Sequence, residues 1–160
     1  MKRFLFSLLV TMAFAFVQAR SYDRFTVLQW NIWQEGTVVP GGYEAIVDEI
    51  VRLKPDFVTF SEVRNYHQTR FCDRIVASLK EHGSFYSDDS GLLSRYPITD
   101  SVTVFPLKDD HGSVYKMVTS FGGKEVAVYT AHLDYLNDAY YNVRGYDGST
   151  WKEIPIPQTV

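Results

Sequence analysis

Three polar side chains follow apolar, β-rich segments in this chain: Asn31 after "TVLQW", Glu62 after "FVTFS" and His132 after "AVYTA". The carboxyl ends of strands are where open α/β sheets build their sites. Each residue alone has an ordinary reading: Asn forms turns, Glu is solvated, and His hydrogen-bonds at a surface or in a core. Their recurrence at the same place after three apolar segments is what singles them out. Phosphoryl transfer at a hard cation is the chemistry they suit. Mg²⁺, or Mn²⁺ in its place, takes oxygen ligands and keeps several waters, so one or two carboxylates hold it against a phosphate. Glu62 is the candidate ligand. The amide oxygen of Asn31 could orient that carboxylate, a metal-bound water or the phosphate. His132, if protonated, could donate a hydrogen bond or proton to a phosphate or its leaving group. Arg64 lies two residues after Glu62, so an extended segment sends both side chains to the same side. Its guanidinium could bind phosphate oxygens bidentately, or simply pair with Glu62.

Elements must position these groups. Phe25 to Asn31 ("FTVLQWN") is rich in β-branched and aromatic residues and reads as a strand. "VVPGG" (38–42) is a loop. From Tyr43 to Leu53, Ile46, Ile50 and Leu53 share one helical face with Val47 and Val51 beside them, and Pro55 stops the helix. Phe57 to Phe60 is the apolar run expected of a strand buried on both faces. Phe71, Ile75 and Leu79, flanked by Cys72 and Val76, mark a second helix ending near Gly83. The remainder reads as strands: Phe85-Tyr86, Gly91 to Ser94, Ser101 to Phe105, Val114 to Phe121 and Glu125 to Ala131. The last two are joined by Gly122-Gly123, a two-residue hairpin signal. This order predicts an α/β fold with helices covering a mixed sheet. Beyond His132 no periodicity is visible, and the Tyr-, Asn- and Gly-rich segment reads as one long loop.

With 160 residues, 46% of them hydrophobic and 16% aromatic, the chain supports one domain with a core and has a globular composition that argues against disorder. "MKRFLFSLLVTMAFAFVQA" places Lys2 and Arg3 before an apolar run from Phe4 to Val17, with small residues Val17 and Ala19 at its end. That is the pattern of a signal peptide, residues 1–19, cleaved after Ala19. The run is shorter than the ~20 residues a membrane-spanning helix needs. The expectation is an exported protein, periplasmic or secreted, whose domain is residues 20–160. It has no stable membrane insertion after cleavage and no obligate protein partner. Cleavage moves the net charge from −3 to −5. An acidic chain lacks the footprint of a non-specific nucleic-acid binder, but a bound cation can still serve a nuclease. Cys72, the single cysteine, has no disulfide partner and no zinc-spaced neighbours, and reads as a buried, inert thiol.

Four stretches, "VLQWNIW", "PDFVTFSEVRN", "GLLSRYPI" and "VAVYTAHLD", resemble in their order successive motifs of the endonuclease/exonuclease/phosphatase superfamily of metal-dependent phosphohydrolases. The resemblance runs from Thr26 to Asp134. It implies a four-layered α/β sandwich of two packed sheets, truncated here to about its first half. It implies that Asn31 stands near the metal and the phosphate, that Glu62 binds Mg²⁺ (or Mn²⁺), and that His132 sits at the scissile phosphate. "EVRN" is similar to the deoxyribonuclease branch, where the arginine, here Arg64, contacts substrate. Arg95 reads as structural. The later Gly-Asp-x-Asn and Ser-Asp-His motifs are missing: Asp88-Asp89 and Asp109-Asp110 lie in other contexts, and Asp134 and Asp138 come too early.

The resemblance therefore implies an exported Mg²⁺-dependent hydrolase of phosphodiesters or phosphomonoesters, present as its N-terminal part and inactive as given. Its substrate would be a nucleic acid, a phospholipid headgroup or a sugar phosphate. The competing expectation is a non-catalytic binding domain that keeps the fold, with Tyr135, Tyr140, Tyr141, Tyr146 and Trp151 stacking on sugars or lipid headgroups. Metal binding through Glu62 separates the two.

Overall fold

The computed structural model describes residues 24–88, 91–105, 112–133, 139–148 and 150–156, without the side chains of His67 and Ala139. Strand β1 (Val27–Asn31) lies parallel to β2 (Phe57–Ser61), in register from Val27 opposite Phe57 to Asn31 opposite Ser61. Helix α1 (Gly42–Leu53) forms the crossover between them. It ends where Lys54 takes a left-handed conformation, its N–H bonded to the Ile50 carbonyl at 2.9 Å, ahead of Pro55. Helix α2 (Phe71–Ser78) and a 3₁₀ turn (Lys80–His82) then lead to β3 (Tyr86–Ser87) and β4 (Leu92–Ser94). The first sheet has the order β1-β2-β4-β3, with β4 antiparallel to β2. The second sheet is an antiparallel meander of β5 (Ile98–Phe105), β6 (Ser113–Phe121) and β7 (Lys124–His132). Gly122 and Gly123 turn between β6 and β7 with φ of 58° and 73°. Two consecutive positive φ angles are what a right-twisted two-residue hairpin requires.

Every residue of β2 is buried, because this strand has a layer on each face. Val58 and Phe60 face the helices, packing with Ile46 and Ile50 of α1 and Phe71 and Ile75 of α2. Phe57 faces the second sheet, packing with Leu92 and Met117 and with Ile98, Val126 and Val128 around them. Helices, first sheet and second sheet are thus three successive layers of the sandwich among the described residues. Phe25, Phe57, Tyr96 and Phe121 close one end of the inter-sheet core, with ring centroids 5.1 to 5.8 Å apart. That end is opposite the strand termini at Asn31 and Ser61.

The segment after His132 differs from the expected loop. A short helix, α3 (Ala139–Asn142), is followed by a bridge between Tyr146 and Glu153, and the Tyr141 and Trp151 rings meet at 5.0 Å. One helical turn is too short to show periodicity, and its order comes from ring contacts and from the left-handed Gly145 (φ 81°). The export signal, Tyr135, and the aspartates at 89, 109, 110, 134 and 138 lie outside the described residues. No helix among the described residues is long and apolar enough to cross a membrane.

Candidate active site at the ends of β1, β2 and β7

The parallel register of β1 and β2 places Asn31 beside Ser61, one residue before Glu62. Asn31 Nδ2 donates to Glu62 Oε1 at 2.9 Å, and the Gln34 N–H donates to Glu62 Oε2 at 3.0 Å. The Asn31 amide is itself oriented, because its Oδ1 accepts the Trp33 N–H at 2.9 Å. The half-buried Glu62 carboxylate is therefore pinned from two sides. Of the roles read from sequence for Asn31, orienting the carboxylate is the one this geometry displays. It does so through the amide NH₂ rather than through the oxygen.

The loop that delivers Gln34 is left-handed. Trp33, Gln34, Glu35 and Gly36 have φ of 42°, 55°, 62° and 73°. Non-glycine residues pay roughly 1–2 kcal/mol each for this conformation, so it survives only where surroundings hold it. Glu35 does most of the holding. It is 2% exposed, and its Oε1 accepts the N–H groups of Arg64 at 2.8 Å and Asn65 at 2.6 Å. Its Oε2 pairs with Arg74 Nη2 at 2.6 Å. The Arg74 guanidinium lies 5.5 Å from the Tyr43 ring centroid and 5.4 Å from that of Phe71, which ties the pair to both helices. Tyr66 adds a hydroxyl bond to Gln34 Oε1 at 3.0 Å. Gly36 and Gly42 meet so closely that a Cβ on Gly36 would come within 2.7 Å of the Gly42 carbonyl carbon.

Sequence reasoning missed Glu35 and Arg74. The one available signal was Arg74 lying next to the apolar face of α2, where a half-buried cation gains from a partner. The expected geometry of Arg64 also needs correction. Glu62 has φ 67° and Asn65 φ 53°, so residues 62–65 are not extended, and the two-residue alternation does not apply. Arg64 is half-buried, and its backbone is anchored to Glu35. His132 ends β7 opposite Ser113 and is half-buried. The Thr130 hydroxyl donates to the Phe60 carbonyl at 3.0 Å, joining β7 to β2 two residues before both His132 and Glu62. Arg95 points elsewhere: its Nε donates to the Pro55 carbonyl at 2.9 Å, and its guanidinium covers the Phe85 ring at 4.5 Å. Cys72 is buried, and that burial, with the nearby Asp88 charge, pushes its thiol pKa far up. A thiol so held is neither nucleophile nor metal ligand.

Comparison with known proteins agrees with the fold. The sequence profile described as the Endonuclease/Exonuclease/phosphatase family matches residues 28–155. No curated protein sequence matches at a significant level. Among solved structures, D. rerio TDP2 humanized by 14 mutations superposes with a TM-score of 0.51 at 17% identity, covering 74% of this chain and 53% of that one. D. rerio TDP2 complexed with single-strand DNA product gives a TM-score of 0.50 at 18% identity, covering 72% and 48%. At such identities the likeness speaks for the fold. The chain spans about half the length of each of these structures.

Proposed function

As the chain belongs to the endonuclease/exonuclease/phosphatase family, we propose that its site is the cation-and-phosphate end of a divalent-metal-dependent phosphoester hydrolase. The observation that carries this reading is the Glu62 carboxylate held between Asn31 Nδ2 and the Gln34 N–H. Each carboxylate oxygen accepts one of these bonds and keeps acceptor capacity for another partner. Among the described residues no three His, Cys, Asp or Glu side chains gather as a ligand set. One oriented carboxylate fits Mg²⁺ or Mn²⁺, which keeps waters and a substrate oxygen in its remaining positions. When bound, such a cation offsets charge on the phosphate oxygens.

This chain's residues then divide the work. Glu62 holds the cation, and Asn31 fixes the carboxylate. His132 donates a proton or hydrogen bond at the phosphate or its leaving oxygen, and Arg64 pairs with phosphate oxygens. The neighbour solved with single-strand DNA product supports a nucleic-acid substrate. Phospholipid headgroups and sugar phosphates are the other arms of a substrate panel. Export with cleavage after Ala19 belongs to the same proposal: sequencing the secreted protein should begin at Arg20, and a mature N-terminus at Met1 refutes it.

A Mn²⁺ titration followed by water-proton relaxation tests the site. Glu62→Gln should weaken binding at least about tenfold. Unchanged affinity would overturn the reading. Phosphoester binding that ignores both the cation and Glu62 would favour the non-catalytic binding domain.

A further inference from the structure

A hollow of about 260 Å³ opens between the end of β1 and the start of α1, directly beside Asn31. Trp30, Ile32, Trp33, Val39, Ala45 and Ile46 line it. Ile32 and Ile46 are buried at its floor, while Trp33 (59% exposed) and Val39 stand at its mouth. Asn31 is part of the lining, and its amide bonds both Glu62 and the Trp33 N–H. The hollow and the polar site therefore share a wall. A dry cavity of about 150 Å³ lined by aliphatic and aromatic groups is enough to take up benzene. This one has room for a ring system.

The left-handed turn at residues 33–36 gives a second reason to look here. Strained backbone persists where the surroundings over-determine it, and such segments cluster at binding sites. Glu62 and Glu35 hold this turn from the inside. What the turn presents outward is the Trp33 indole, at the mouth of the hollow. An indole face stacks well on planar rings of any sequence or substituent.

We propose that the hollow is a substrate subsite that receives one planar aromatic group carried by the phosphoester, with Trp33 as its stacking wall. The proposal rests on the phosphoester reading of the Glu62 site and states which kind of substituent the β1–α1 side accepts. A nucleobase and a simple aryl ester offer the same planar face.

The test uses the full chain with ¹⁵N-labelled indoles. Its three tryptophans are Trp30, Trp33 and Trp151, and Trp151, packed on Tyr141, is the internal control. Phenylphosphonate and thymidine monophosphate are titrated beside methylphosphonate. The aromatic probes should shift the Trp30 and Trp33 signals, spare Trp151, and bind at least about fivefold tighter than methylphosphonate. The arm with the larger advantage identifies the ring. Ala45→Phe, which fills the hollow from an exposed helical position, and Trp33→Ala should each remove the advantage. If Ala45→Phe does not fold, Trp33→Ala decides. Silent Trp30 and Trp33 signals, or an advantage surviving both substitutions, would overturn the subsite. Mn²⁺ broadening at the Gln34 amide reads the metal site separately. Its loss with indole shifts intact would sink the metal reading alone.

Discussion

Replacing Glu35 by alanine removes three hydrogen bonds from one buried carboxylate and so probes what aims the site. Oε1 accepts the N–H groups of Arg64 and Asn65 at 2.8 and 2.6 Å, and Oε2 pairs with Arg74 at 2.6 Å. Breaking a fully buried ion pair by deleting one partner costs about 3–5 kcal/mol. The Arg74 side chain is 37% exposed, however, and can rehydrate, which reduces the ion-pair share to about 1 kcal/mol. The two N–H groups lose bonds to a charged acceptor, about 1 kcal/mol each after water recovers part of the loss. The expected total is about 3 kcal/mol. Urea unfolding should show a lower midpoint at unchanged slope. Mn²⁺ affinity should fall too, although Glu62 is untouched, because the turn that presents the Gln34 N–H has lost its anchor. Glu35→Gln keeps an acceptor for the N–H groups and should lose only about 1 kcal/mol. A loss below about 0.5 kcal/mol for Glu35→Ala, the level of an ordinary surface change, would refute the reasoning.

Gly36→Ala should cost about 2–4 kcal/mol, because its Cβ would press on Gly42 and Ile46 in a left-handed backbone; thermal unfolding checks this, and a neutral result would show that the loop can move away. Stability should also depend on Asp56 in acid. Burial alone would raise its carboxyl, but the Thr26 N–H and hydroxyl at 2.8 and 2.9 Å, the Tyr96 hydroxyl at 3.0 Å and the Arg95 charge together hold it below the ordinary range. A depressed folded pKa stabilises fully above the unfolded value of about 3.9, and the contribution is lost as pH falls through the folded value. Urea midpoints measured from about pH 5 down to about pH 2 should therefore drop less in Asp56→Asn than in the wild type, and equal drops would count against the assignment.

The elements that position the site were legible wherever burial sets the pattern. Phe57, Val58 and Phe60 of β2 are apolar because both faces of the strand are covered, and Ile46 and Ile50 mark the buried side of α1 at helical spacing. Asn31 and Glu62 could be paired from sequence because parallel strands of like length bring their ends together. Glu35 could not be found that way. Its burial depends on Arg74, thirty-nine residues further on, and on a left-handed turn that no local propensity favours. Arg64 was misdirected for a related reason: alternation holds only in extended backbone, and Glu62 leaves it. The helical turn at Ala139–Asn142 was hidden because four residues cannot display a period of 3.6.

The most direct measurement is anomalous diffraction from crystals of the full chain soaked in Mn²⁺. A Glu62 that serves as the cation ligand predicts one peak about 2.1 Å from a Glu62 carboxylate oxygen, with Asn31 still bonded to that carboxylate. A peak elsewhere, or none while Glu62 keeps only its bonds to Asn31 and Gln34, would contradict it.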